Sequence, residues 1–171
     1  MNTIEQESKQ DSPEARTIQW WAGLKERKGD RARLCRARTL EQIYFIPAYH
    51  RLVLALKGTP WSNRQRIALV AGVLAHIRTD ERGTSFPARL ARPRDRGGSK
   101  PRFSGLRFRR LIQHDRPDDV FEPMIRAVLQ AGPGARPAAD VAGLAKELYW
   151  WNDRTRHNWA FAYYEANPNA E

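Results

Sequence analysis

Arginine at helical spacing is the chemistry this sequence offers most plainly. In residues 99–116, SKPRFSGLRFRRLIQHDR, Ser104 can cap a helix whose Phe108, Leu111 and Ile112 fall at i, i+3 and i+4 on one side. Arg107, Arg109 and Arg110 then fall on the other side. A guanidinium is planar and permanently charged, and it donates paired hydrogen bonds to phosphate oxygens. Three of them held out from an apolar stripe suit a polyanion. Arg82 to Arg116 holds eleven Lys/Arg against two Asp, which is +9 of the chain's formal +11. A second cluster, Lys25 to Arg38, holds seven basic and two acidic residues, so the remainder of the chain is net negative. Positive charge confined to two stretches is the footprint of nucleic-acid binding rather than of an evenly solvated surface.

No comparable set exists for making or breaking bonds. His50, His76, His114 and His157 are far apart in the chain, and one cysteine cannot supply a zinc cluster. There is no P-loop and no GxGxxG. Asp115, Asp118 and Asp119 could hold Mg²⁺ in a nuclease, but at a helix junction Asp more often caps. Cys35 stands among arginines that could depress its pKa, but a small buried side chain is the safer reading. The expectation is therefore no catalytic residue, no cofactor and no metal.

The bulk properties agree. At 171 residues and 41% hydrophobic, the chain can build one core without disulfides. A single cysteine fits a reducing, cytoplasmic setting. No apolar run approaches the roughly 18 residues of a membrane span. Residues 1–14 lack the apolar centre of a secretory signal and read as a flexible polar tail, as do 167–171.

The elements that must position the arginines are all helical, because sustained alternation and hairpin turns are absent. The expected fold is all-α: a compact bundle of about seven to nine helices over residues 15–166, with lobes at about 15–80 and 85–166. Ser12-Pro13 starts a helix that Gly29 stops, carrying Ile18, Trp21, Ala22 and Leu24 inward. Thr39 to Gln42 and Ser62 to Gln65 both match a capping box. Pro47 opens PAYHRLVLAL, and IALVAGVLAHI, apolar nearly all round, is the central buried helix. Arg64 and Arg66 lie in its first turn. Thr79 to Gly83 is a turn, and Ser85 to Leu90 one helical turn. Residues 91–101, ARPRDRGGSKP, form a basic loop free to move until it meets a partner. Val120, Phe121, Met124, Ile125, Val128 and Leu129 give the next helix, with Pro123 in its first turn. Gly132 to Pro137 is a linker. From Asp140 one long helix would carry two apolar stripes. Val141, Leu144, Ala145, Leu148, Trp151 and Trp159 form the first. Trp150, Phe161 and Tyr164, with Arg154 and His157, form the second.

The ordered series GDRARLCRARTL, IPAYHRLV, VAGVLAH, GTSFPARLA, LRFRRLIQHDR and LAKELYWWNDRTRHNWAFAYY resembles the CasB-type small subunit of the type I-E CRISPR Cascade effector. The resemblance covers about residues 15–165. It implies a non-enzymatic, all-helical subunit in antiviral defence, present as two copies side by side. Its implied partners are CRISPR RNA, target DNA, the other Cascade subunits (the backbone subunits above all) and a second copy of itself, with no membrane. It implies that Arg64, Arg66, Arg107, Arg110, Arg116, Arg126, Arg154 and Arg156 face nucleic acid and help hold the target and displaced strands of the R-loop. Asn152-Asp153 depart from members that place basic residues directly after the Trp pair, and the 91–101 loop looks specific to this chain.

Two other classes fit the residues. A helix-turn-helix regulator would use Arg107 to Gln113 as its recognition helix and prefer one duplex sequence. A structural adaptor would turn the basic faces toward acidic protein surfaces.

Overall fold

The computed structural model describes residues 11–134 and 136–170, and among these described residues there are ten helices and one two-residue parallel ladder. Helix α1 (Pro13–Gly23) starts as expected, with Ser12 Oγ accepting from Ala15 N at 3.1 Å. It ends at Gly23, and Gly29 instead falls in the first turn of α2 (Lys28–Arg36). A first-turn N–H has no helical partner to lose, so glycine interrupts nothing there. Helix α3 (Leu40–Ile43) is capped by Thr39 Oγ1, which accepts from Gln42 N at 3.2 Å. The return bond of the box is displaced by one residue: Gln42 Oε1 accepts from Arg38 N at 2.7 Å. Pro47 opens α4 (Pro47–Ala55).

Helix α5 (Arg64–Leu74) is the buried centre, with all of Ile67 to Leu74 out of contact with water. Its cap is Asn63 rather than Ser62: Asn63 Oδ1 accepts from Arg66 N at 3.0 Å. Tyr149 Oη accepts from Ser62 N and Asn63 N, at 3.0 and 3.1 Å, and its ring stacks on Trp61 at 4.6 Å. Strand β1 (Thr79–Asp80) follows where a plain turn was expected. Helix α6 (Phe86–Ala91) has Ser85 as its cap. The 91–101 loop is closed at its base. Pro93 bridges Pro101, Arg102 N donates to Arg92 O at 3.0 Å, and Asn167 Nδ2 donates to Ala91 O at 3.1 Å.

Helix α7 (Gly105–Gln113) is the arginine helix, and α8 (Pro117–Val128) carries the next apolar face. Pro123 lies inside α8 rather than in its first turn, because Pro117 already occupies the first helical position. Strand β2 (Ala138–Ala139) pairs in parallel with β1, which two-residue segments do not announce in a sequence. A Cβ on Gly132 would stand 1.9 Å from Arg136 O, so the turn into β2 needs glycine. The long C-terminal helix is in fact two, α9 (Val141–Tyr149) and α10 (Asp153–Ala166). Asn152 Oδ1 accepts from Thr155 N at 3.0 Å, and Thr155 Oγ1 donates to Trp150 O at 2.6 Å, which fixes the break. The first stripe is buried as expected, but it bends around this corner. Of the second stripe, Trp150 and Phe161 remain exposed, while Tyr164 packs edge-on to Phe108.

One contiguous apolar cluster runs from Leu24 to Ala170. Helices α2, α3, α4, α8 and α9 pack around α5, and α10 packs along α6. Cys35 is half-buried, with Sγ 3.4 Å from Ala75 O, and burial pushes its pKa up rather than letting the arginines draw it down.

Gly72 of α5 faces Phe121 of α8, where an added Cβ would come within 2.5 Å of the ring. Gly72→Ala should destabilise by roughly 1–3 kcal/mol through overpacking, despite alanine's better helix propensity. A urea midpoint equal to the parent's would show that Phe121 gives way.

Burial, with Asp140 adding to it, raises the Glu147 carboxyl to about 7. The folded chain then holds a proton that the unfolded chain releases near the ordinary value, so stability falls as pH rises through that interval. Burial lowers His76 to about 4, which acts in the opposite direction over an interval that largely overlaps that of Glu147, so the two contributions offset each other in the parent. Glu147→Gln should therefore leave the His76 contribution unopposed, so that Tm rises more steeply with pH between about 5 and 7 than in the parent. An unchanged profile would show that Glu147 contributes nothing to it.

Candidate nucleic-acid interface

Helix α7 is held at both ends and along one side, which leaves its arginines facing solvent together with Leu106 and Gln113. At the start, Ser104 Oγ accepts from Arg107 N at 3.4 Å. Phe108 and Leu111 are buried, and Phe108 stacks on Tyr163 with centroids 3.9 Å apart. Tyr163 Oη donates to Phe103 O at 2.6 Å, and burial pushes this phenol up to about 12. At the end of α7 the backbone carbonyls lack helical donors. Arg156 Nη1 supplies one to Ile112 O at 3.0 Å, and Trp151 Nε1 supplies one to His114 O at 2.8 Å. Arg107, Arg109 and Arg110 point to solvent.

Between α7 and α8 runs a groove of about 450 Å³. Arg107 and Arg110 line it from α7, Arg126 lines it from α8, and His114 stands at the junction. Leu111 and Leu129 form its apolar walls. Arg126 is ion-paired with Glu122 on its own helix, an exposed contact of little strength. Arg94 reaches over from the basic loop to Gln130 on the groove's lining. Arg107 and Arg110 have no carboxylate partner among the described residues. Guanidinium groups gathered on one groove with so little counter-charge attract an anion and repel a cation.

The eight sequence-predicted arginines thus divide. Arg107, Arg110 and Arg126 come together. Arg64, Arg116 and Arg154 are exposed at helix starts, and none is ion-paired among the described residues. Arg66 and Arg156 tie elements together. Arg66 Nη1 donates to Tyr149 O at 2.8 Å, with its guanidinium 5.8 Å from the Trp150 ring centre. Arg156 bonds Ile112 O, as above, and pairs with Asp153. Sequence reasoning left out Arg94, whose reach to α8 depends on the loop closure; its signal was the loop's composition.

The acidic cluster is not a set of caps. Arg116 occupies the cap position of α8 and makes no side-chain cap bond. Asp118 and Asp119 sit in the first turn, where carboxylates complement the helix dipole. Asp118 also accepts from Gln65 Nε2 at 2.6 Å. Among the described residues no group of three or more His, Cys, Asp and Glu could hold a metal ion, and no helix is long and apolar enough to cross a membrane.

The sequence profile of CRISPR-associated protein Cse2 matches residues 30–164. No curated protein matches. Among solved structures, the chain resembles a chain in the crystal structure of E. coli Cascade bound to a PAM-containing double-stranded DNA target. The TM-score is 0.60 at 24% identity, covering 82% of this chain and 87% of that one. At that identity the likeness concerns the fold.

The division of the arginines is measurable. Arg156→Ala removes a hydrogen bond from a half-buried guanidinium and should cost roughly 1–3 kcal/mol in chemical denaturation. Arg107→Ala and Arg110→Ala should stay within about 0.5 kcal/mol of the parent. Equal costs would mean that the exposed arginines also hold the fold together.

Proposed function

The chain belongs to the Cse2 family of CRISPR-associated proteins, and on that premise we propose that it is a non-catalytic subunit of a type I-E Cascade effector that holds nucleic acid without reading its sequence. The observation that carries this reading is the groove between α7 and α8, lined by Arg107 and Arg110 from an α7 whose opposite side is packed and by Arg126 from α8. In this reading the chain lies against CRISPR RNA and target DNA, beside the backbone subunits and a second copy of itself. Arg64, Arg116 and Arg154 extend the contact, and Arg66 and Arg156 shape it.

The physical task is modest. Exchanging a DNA duplex for an RNA–DNA heteroduplex is nearly balanced, so protein contacts to backbone phosphates tip it. A displaced strand re-pairs unless it is held, and a basic groove holds it by charge alone. Arginine suits this because its fork takes phosphate oxygens in any sequence context. The groove's chemistry requires neither a metal nor a general base.

Arg107→Glu/Arg110→Glu should weaken binding of target DNA by the effector at least about tenfold. It should also lower the slope of log K against log salt by about 1.4, at roughly 0.7 per single-strand phosphate. Assembly should be unaffected. Lost assembly with unchanged DNA binding by the free subunit would instead make the face a protein-docking surface. Strong preference for one duplex sequence would make α7 a recognition helix.

A further inference from the structure

A second basic cavity lies apart from the α7–α8 groove, and its cations come from four places in the chain. Lys25 follows α1, Arg31 belongs to α2, Arg78 precedes β1 and Arg136 precedes β2. They line a space of about 670 Å³. The short ladder brings two of them together: Arg78 N and Thr79 N both donate to Pro137 O, at 2.8 and 3.3 Å.

The counter-charge is spent elsewhere. Asp80 is the one carboxylate in the lining. Its Oδ1 accepts from Val141 N at 3.0 Å, and its Oδ2 lies 3.6 Å from Arg82 Nε. Asp30, next to Arg31 in sequence, pairs with Arg51 and, at 3.9 Å, with Arg33. Arg31 itself is only 9% exposed, and its Nε has no hydrogen-bond partner among the described residues. Burial lowers the Arg31 pKa, and the neighbouring Arg78 lowers it further. A buried guanidinium facing another cation is unfavourable unless an anion compensates it.

The cavity also has an aromatic wall. Trp21 lines it, with the indole held by Nε1 donating to Ile77 O at 3.2 Å. An acidic peptide would engage the cations and leave the ring unused. A nucleotide engages both, through its phosphate and its base. Four cations against one carboxylate exceed the charge of a single phosphodiester, so the ligand presents phosphates on both sides of the base.

We propose that this cavity binds a nucleotide step of a single-stranded nucleic acid, with its phosphates on Lys25, Arg31, Arg78 and Arg136 and its base stacked on Trp21. This deepens the nucleic-acid reading above by giving it a second, separate contact.

The test uses the purified full chain and a fluorescent oligothymidylate carrying 5-iodouracil. Arg78→Glu/Arg136→Glu should bind at least about tenfold more weakly, with the salt slope lower by about 1.4. Irradiation should cross-link the parent through the tryptic peptide that contains Trp21, and the variant should lose that adduct. Arg78→Gln/Arg136→Gln, with its melting temperature checked, replaces the charge reversal if folding suffers. Unchanged binding, or adducts only elsewhere, overturns the proposal. Loss confined to Arg107→Glu/Arg110→Glu overturns this cavity and leaves the groove standing; loss confined to the cavity variant does the reverse. No binding by the parent at low salt overturns both. Oligoglutamate that competes equally, and only when Arg78 and Arg136 are present, would reassign the cavity to an acidic protein partner.

Discussion

Eight consecutive residues in the middle of α5, Ile67 to Leu74, are out of contact with water, and the rest of the structure is built to allow it. A helix apolar on every side has no face to give to solvent, so neighbours must surround it. Helices α2, α3, α4, α8 and α9 do so. Because α5 is closed in, its neighbours are fixed relative to one another. Phe121 seats α8 against Gly72, and Tyr149 ties the end of α9 to the start of α5 through two backbone N–H groups. Helix α7 packs on α8 and α10, which sets the groove between α7 and α8.

The arginines serve two physical purposes, and the partner of each one separates them. A guanidinium that finds a backbone carbonyl acts as a strut. Arg66 does this at Tyr149, Arg102 at Gly132 and Arg156 at Ile112. One that finds neither carbonyl nor carboxylate keeps its donors for another molecule. Arg107 and Arg110 are of that kind on the surface, and Arg31 is of that kind in a half-closed cavity. Such a basic chain tolerates this charge because its apolar core is one continuous cluster and the cations stay at or near the edge.

The two basic regions lie on different kinds of support. The α7 arginines are local: five residues of one helix present them, and the apolar residues between set their direction. The cavity around Arg31 is not local. It exists because β1 and β2 pair over two residues, which places Arg78 beside Arg136. A ladder that short has no pattern of its own, and its order comes from the helices on either side.

The amino-acid sequence determined what depends on near neighbours. The caps at Ser12, Thr39, Ser85 and Ser104, the buried run of α5 and the outward face of α7 all follow from spacing within one or two turns. Its ordered motifs also carried the family. Tertiary structure decided what depends on partners far along the chain. Asn63 rather than Ser62 caps α5, and the distant Tyr149 takes the backbone N–H groups of both. Arg156 is a strut because the break at Asn152 turns α10 toward the end of α7. Cys35 keeps its proton because burial outweighs the arginines beside it. Helix capping and periodicity are short-range forces written into adjacent residues; hydrogen-bond satisfaction and desolvation are settled only once distant segments share a core.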